Sequence, residues 1–250
     1  MTKKKCKILN FICNFKFTKI NLWIFFMSKL VTILQNIQNV KVIDSSINYS
    51  DYIAIDLSEN NIQLSQFDLS DSEKFENFID DFLLRNNKKV AFGGYNEIRN
   101  IYKRSTVFKN DNSDERNIHI GLDLWIKAKT DVLAALEGKI HSFKNNKSLG
   151  DYGPTIILEH CIENFNFYTL YGHLSEESLG DLFIGKPFLK GEKIATLGNF
   201  PINGDYAPHL HFQIIENIGE YFGDYPGVCS KKDLEYYLNN CPNPDILLKI

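Results

Sequence analysis

Apolar and polar residues alternate in the second half of the chain at a spacing typical of short strands. After residue 118, apolar runs such as 154–160, 165–174 and 209–215 are separated by turns rich in glycine and asparagine. Alternation with regular turns predicts an antiparallel β-sheet or sandwich. We therefore expect a mainly β fold here, with residues 175–183 forming a short helix or loop between two strands.

The first half of the chain has a mixed pattern. Apolar residues recur at helical spacing in 28–40 and again in 70–87, where a serine and an aspartate are suitable N-caps. Residues 41–64 alternate like short strands, and residues 88–97 are typical of a strand that ends in a glycine turn. The pattern predicts an α+β region that precedes the β-rich half.

Three segments follow from these patterns. Residues 1–26 combine a basic start with an apolar run and are a signal peptide, an uncleaved membrane anchor, or sequence upstream of a true start at Met27. Residues 27–108 form the mixed N-terminal region, and residues 109–250 form the β-rich domain with a C-terminal extension. Export by residues 1–26 predicts a cell-envelope or periplasmic location, and without it we expect a cytoplasmic protein.

Composition narrows the classes of partner. The chain has 250 residues, of which 44% are hydrophobic and 24% charged, and its net charge is −3. That balance gives no reason to expect nucleic acid as a partner, and a membrane is expected only if the N-terminus is an anchor. The 5 cysteines are odd in number and lack a CxxC spacing, which argues against a disulfide framework and a cysteine-ligated zinc site.

Two histidines lie two residues apart in the apolar run "PHLHFQII". If Leu210 and Phe212 face the core, then His209 and His211 share the opposite face of a strand, about 7 Å apart. That spacing suits one metal ligand and one neighbour that reaches a metal-bound water. Alone, the pair is more typical of half-exposed histidines on a sheet.

Further candidates occur in "HIGLDLW" and "YGHLS". His119 and Asp123 are four residues apart, and Gly121 between them permits a bulge or bend that brings them together. His173 falls near the end of a predicted strand. Each of these motifs alone is weak evidence for a metal site, but imidazole and carboxylate groups together form a normal zinc ligand set.

Together, these residues predict an open metal site. His119, Asp123 and His211 supply three ligands and leave a fourth position for water, which is typical of catalytic zinc. His173 and His209 then remain to move protons or to stabilise an oxyanion. The other two histidines, at positions 141 and 160, lack matching partners and are expected to be structural.

The three segments that contain these residues resemble the signatures of the lysostaphin-type, or LytM-like, zinc metallo-endopeptidases. The resemblance covers residues 116–216. It implies an antiparallel β core of the LytM (duplicated hybrid motif) type with a groove on one sheet face. Members typically cleave peptide bonds in peptidoglycan stems or cross-bridges, so the resemblance implies hydrolysis of a peptidoglycan-type peptide by metal-activated water.

The resemblance also assigns roles to individual residues. It implies one zinc ion per chain, held by His119, Asp123 and His211, with His173 and His209 as the catalytic histidines. Two alternatives stay open: a non-catalytic LytM-like regulator of a cell-wall amidase, and a cytosolic zinc hydrolase of a small amide. The long segment 199–208 and the glutamine at position 213 depart from the family pattern, but neither removes a ligand.

Overall fold

A computed structural model of the protein describes residues 28–105 and 115–250. Its strands are β1 Tyr52–Ala54, β2 Val90–Gly93, β3 Glu97–Ile98, β4 Arg116–His119, β5 Leu122–Trp125, β6 Asp131–Leu133, β7 Gly138–Asn146, β8 Gly153–Ile162, β9 Phe165–Gly172, β10 Pro187–Phe188, β11 Lys193–Thr196, β12 His209–Ile215 and β13 Val228–Ser230. Its helices are α1 Lys29–Asn36, α2 Ser72–Asn86, α3 Leu234–Asn240 and α4 Asp245–Leu248. The predicted signal or anchor segment, 1–26, lies outside the described residues.

One large sheet organises the fold. Its strand order is β1-β2-β5-β12-β9-β8-β7-β10, and all neighbours are antiparallel except β1 and β2. A smaller sheet has the order β13-β4-β3, and β6 pairs with β11. Antiparallel strands with few helices confirm the predicted fold class. Within the described ranges, the helices fall short of the length and apolar character needed to span a membrane.

The N-terminal region continues this sheet. Strand β2 pairs with β5, and β1 pairs with β2. Helix α1 packs into the main core, and Phe75 of α2 contacts Trp125 of β5 edge-on, with ring centroids 5.1 Å apart. The described part of residues 27–108 therefore shares cores and a sheet with the β-rich half, while the division at residue 109 stays a prediction.

Local chemistry explains where the sequence pattern succeeds and fails in this region. The helices α1 and α2 lie within the two segments predicted as helices, and Asp71 caps α2 by accepting a hydrogen bond from the Lys74 amide. The predicted short strands of 41–64 reduce to β1 and an isolated bridge at Ile43, beside 3₁₀ turns. Asp44 accepts a hydrogen bond from the Ser46 amide, and such local bonds compete with strand pairing.

Strand β12 shows the alternation that positions the site. Leu210, Phe212 and Ile214 belong to the main hydrophobic core. Successive side chains of a strand point to opposite faces, so the intervening positions lie on the other face: His209, His211 and Gln213. All three are fully or almost fully buried.

Candidate metal and catalytic site

A bend between two sheets brings His119 and Asp123 together. His119 ends β4, Asp123 lies in β5, and the chain bends at Gly121 between them. His119 Nε2 is 3.3 Å from Asp123 Oδ1. A Cβ atom at Gly121 would lie only 2.3 Å from His211 Cε1, so glycine is required here because the His211 ring packs against the bend.

Strand pairing adds His211 to this pair. Asp123 and His211 are register partners between β5 and β12, and His211 Nδ1 is 3.2 Å from Asp123 Oδ1. His119 Nε2 is 2.9 Å from His211 Nδ1. One ligand atom of each residue lies within 4.8 Å of the others, so the structure brings the three predicted metal ligands together.

The outer hydrogen bonds of the two histidines show which nitrogens face inward. His119 Nδ1 donates to the Gly94 carbonyl at 2.9 Å, and His211 Nε2 donates to Gln213 Oε1 at 3.0 Å. In this arrangement the inward nitrogens, His119 Nε2 and His211 Nδ1, converge with a carboxylate oxygen of Asp123. Three converging donors of this kind fit a metal ion that accepts imidazole and carboxylate ligands, with outer partners that fix the rings.

Electrostatics favour the protonation states that metal binding needs. Burial alone would raise the pKa of Asp123, but nearby positive charge, including the Arg99 guanidinium at 2.5 Å, holds it well below its ordinary value. Burial lowers the pKa of His119. An ionised carboxylate beside a neutral imidazole is the state in which these residues coordinate a cation.

His173 approaches the cluster from the end of β9. Its backbone is left-handed, with φ of 63°, a region that non-glycine residues adopt mainly where the surroundings enforce it. The ring Nδ1 donates to the Asn203 carbonyl at 2.7 Å, which leaves Nε2 as the lone-pair nitrogen. Burial, followed by the neighbouring His209, lowers the pKa of His173 well below its ordinary value.

The long segment 199–208 supports His173. The Asn203 side chain donates to the Tyr206 carbonyl and accepts from the Tyr206 amide, at 2.9 and 3.1 Å. The Tyr206 hydroxyl donates to the Gly150 carbonyl at 2.8 Å. Because Asn203 and Tyr206 are buried, segment 199–208, which departs from the family pattern, holds a fixed position against His173.

His209 completes the set of predicted residues. Its ring stacks on Trp125 with centroids 3.9 Å apart, and lies 4.2 Å from the ring of His173. His209 Nδ1 donates to the Ala207 carbonyl at 2.8 Å, and Nε2 is 3.9 Å from Asp123 Oδ1. Burial lowers the pKa of His209 to about 4, so the ring is neutral with its Nε2 lone pair toward the cluster.

The cluster lies in a cavity of about 230 Å³. All five predicted site residues line it, namely His119, Asp123, His173, His209 and His211. Residues from the N-terminal region form an apolar part of its wall: Leu57, Leu64, Leu69, Phe75, Ile101 and Tyr102. The remaining two histidines, His141 and His160, are on β7 and β8 and do not line this cavity.

The sequence analysis assigned no role in the site to three supporting residues. Gln213 lies two residues after His211, so strand alternation alone could have placed it on the same face. Tyr152, whose hydroxyl is 3.4 Å from His211 Nε2, reaches the site from the start of the β8 hairpin. Arg99 contacts Asp123 from a polar turn. Neither Tyr152 nor Arg99 carries a local signal, because tertiary packing alone brings them to the site.

Known structures are similar to parts of the chain. The catalytic domain of the antimicrobial peptidase lysostaphin from Staphylococcus simulans has 21% identity and a TM-score of 0.38, with 61% of this chain and 93% of that chain covered. A zinc containing peptidase from Vibrio cholerae has 24% identity and a TM-score of 0.30, with 43% and 30% covered. A mutant catalytic domain of the prophage-encoded M23 protein EnpA from Enterococcus faecalis has 15% identity and a TM-score of 0.33, with 44% and 77% covered.

Comparison with protein families identifies the site-bearing segment. No curated protein matches the chain. Residues 117–221, however, match the model of Peptidase family M23. The match includes all three segments that contain the predicted site residues, and it confirms the LytM-like resemblance seen in the sequence. The similarity to peptidase family M23 thus covers the part of the chain that contains all five predicted site residues.

Proposed function

We propose that the protein is a zinc-dependent endopeptidase that hydrolyses peptide bonds in peptidoglycan-type peptides. The observation that carries the proposal is the convergence of His119 Nε2, Asp123 Oδ1 and His211 Nδ1 in a cavity that also contains two neutral histidines. These three atoms would hold one zinc ion per chain. When bound, zinc would supply Lewis-acid chemistry, because it lowers the pKa of a coordinated water to about 7 and polarises a carbonyl.

His173 and His209 would handle protons in this reaction. Each ring donates Nδ1–H to a backbone carbonyl, which fixes its orientation and leaves the Nε2 lone pair available. A neutral imidazole can take a proton from the attacking water and pass it to the leaving amine. The imidazolium formed in between would also stabilise negative charge on the oxygen of the scissile carbonyl.

Metal content and product analysis test the proposal directly. The purified protein is expected to contain one zinc ion per chain and to release peptide fragments from purified peptidoglycan sacculi. His211→Ala should lose both the metal and the products. His141→Ala is the matched control, because His141 is a partly buried histidine whose Nδ1 lies 2.8 Å from Ser142 Oγ, outside the site.

Each contrary outcome identifies a different error. Bound zinc without any cleaved peptide would contradict the endopeptidase and favour a non-catalytic LytM-like regulator. Cleavage of small amides, with intact sacculi and intact stem peptides, would favour a different zinc hydrolase. Fragments released equally by the wild type and by His211→Ala would contradict the metal-dependent mechanism itself.

A further inference from the structure

Arg99 is a buried arginine between two carboxylates. It follows β3, outside the segment that matches the family, and its side chain is 4% exposed. Its Nη1 donates to Asp123 Oδ2 at 2.5 Å, and its Nε donates to Glu97 Oε2 at 2.5 Å. One planar guanidinium therefore joins the N-terminal region to a predicted metal ligand.

We propose that Arg99 is a positioning residue for the metal site. It holds Oδ2 of Asp123, so that the other oxygen, Oδ1, faces His119 Nε2 and His211 Nδ1 at 3.3 and 3.2 Å. A carboxylate fixed by an outer hydrogen bond coordinates a metal without first losing rotational freedom. This inference rests on the proposed function, because it assigns Arg99 to the same zinc site.

Two neighbours of Arg99, Glu97 and Gly94, restrict the position of its guanidinium. Glu97 is itself fixed, since its Oε1 accepts a hydrogen bond from the Leu57 amide at 3.1 Å. At Gly94 the backbone has a φ of +101°, and a Cβ atom there would lie 1.9 Å from Arg99 Nη2. A chain of contacts therefore runs from the Leu57 backbone through Glu97 and Arg99 to Asp123.

The chemistry of this position distinguishes arginine from lysine. Arginine binds two carboxylates through separate nitrogens of one rigid plane, whereas lysine offers a single mobile ammonium. A role in charge balance alone would be satisfied by either residue. A role in orienting Asp123 requires the rigid, planar guanidinium. Arg99→Lys should therefore keep the fold and still lower the zinc affinity of the site.

The test compares zinc affinities of the full chain by competition with a chromogenic chelator. Arg99→Gln is expected to bind zinc about 10- to 100-fold more weakly than the wild type, the usual effect of removing an outer partner. Arg99→Lys should show an intermediate loss. Arg85→Gln is the control, because Arg85 lies on the exposed side of α2 and its Nε donates to the Asp81 carbonyl of the same helix.

A second measurement separates positioning from general stability. Cobalt(II) substitution reports the ligand geometry, and its visible spectrum should change in Arg99→Lys while the melting temperature stays near that of the wild type. In an Asp123→Asn background, Arg99→Gln should cause no further loss of zinc affinity, because Arg99 acts through Asp123. If Arg99→Gln does not fold, Arg99→Lys alone carries the test.

The outcomes separate this inference from the proposed function. Arg99 variants that bind zinc within about twofold of the wild type, with an unchanged cobalt spectrum, would overturn the positioning role alone. A wild type that binds no zinc would overturn both. Zinc binding that depends on Arg99, without hydrolysis of peptidoglycan, would support the positioning role and contradict the endopeptidase.

Discussion

Asp123 and His211 are direct cross-strand partners in the register of β5 and β12, and their Oδ1 and Nδ1 atoms are 3.2 Å apart. The hydrogen bonds of the two strands fix the separation of these side chains before any metal binds. His119 joins them across the bend at Gly121. Strand pairing thus positions two of the predicted ligands, Asp123 and His211. The third, His119, is positioned by the bend at which the chain passes from the small sheet to the large one.

Asp123→Asn should weaken metal binding strongly and destabilise the protein. We expect zinc affinity to fall more than about 100-fold, beyond the loss of an outer partner. The free energy of unfolding of the metal-free protein should fall by about 3 kcal/mol, because Arg99 loses the charge of a buried partner. Zinc content and urea unfolding measure the two effects.

Asp131→Asn is the control for this variant. Asp131 pairs with Lys193 at 2.6 Å, but both side chains are about half exposed, so its loss should cost less than about 1 kcal/mol. Full zinc occupancy in Asp123→Asn would remove Asp123 from the ligand set.

His209→Ala and His173→Ala should separate catalysis from metal binding. Neither ring is among the three converging donors, so bound zinc should remain near one per chain. The rate of peptide hydrolysis should fall by about 10²- to 10⁴-fold, the usual contribution of a general acid or base. Product analysis beside metal analysis gives both quantities, and loss of zinc in either variant would show that its histidine supports the metal instead.

Gly121→Ala should disrupt the site through packing. The added methyl group would lie 2.3 Å from His211 Cε1, so the ring must move and zinc affinity should fall at least about tenfold. Gly180→Ala is a suitable control, because Gly180 has helical dihedral angles and the new methyl group would lie 3.4 Å from its nearest neighbour. Equal zinc affinities for the two variants would contradict the close packing of His211 against the bend.

His160 should make the fold sensitive to acid. Its Nδ1 donates to the Glu137 carbonyl at 2.8 Å, and burial lowers its pKa from 6.5 to about 4. The unfolded chain therefore binds the proton first, so stability is lost as the pH falls below about 6.5 and stops falling near pH 4. Between about pH 7 and pH 5 this residue should account for about 2 kcal/mol.

Urea unfolding of His160→Gln measures that contribution. Glutamine does not titrate, so the difference in unfolding free energy between wild type and variant should shrink by about 2 kcal/mol over the same pH range. A difference that does not change with pH would mean that His160 is protonated equally in the folded and unfolded chain.

The sequence pattern predicts the parts of the site that local geometry determines. Alternation along β12 placed His209 and His211 on one face, and the glycine between His119 and Asp123 indicated the bend. These are properties of neighbouring residues, because a strand has a period of two and glycine tolerates close approach.

Long-range pairing explains what the pattern could not predict. Nothing in the stretch from Tyr95 to Asn100 indicates that Arg99 reaches a residue 24 positions later, since the contact depends on how β2, β3 and β4 pack. The same holds for β1 and β2, whose membership of the main sheet depends on pairing with β5. Tyr152 belongs to this group as well, because its hydroxyl meets His211 only in the folded chain.

The pairing of β2 with β5 limits how far the protein can be truncated at its N-terminal side. An expression fragment cut to the family-matched boundaries would strip away the strand that borders Asp123, since Gly93 and Asp123 are register partners. The cut would leave the edge of β5 unpaired beside the candidate metal site, and unpaired strand edges promote self-association. For this chain, the smallest useful fragment must begin well upstream of residue 117.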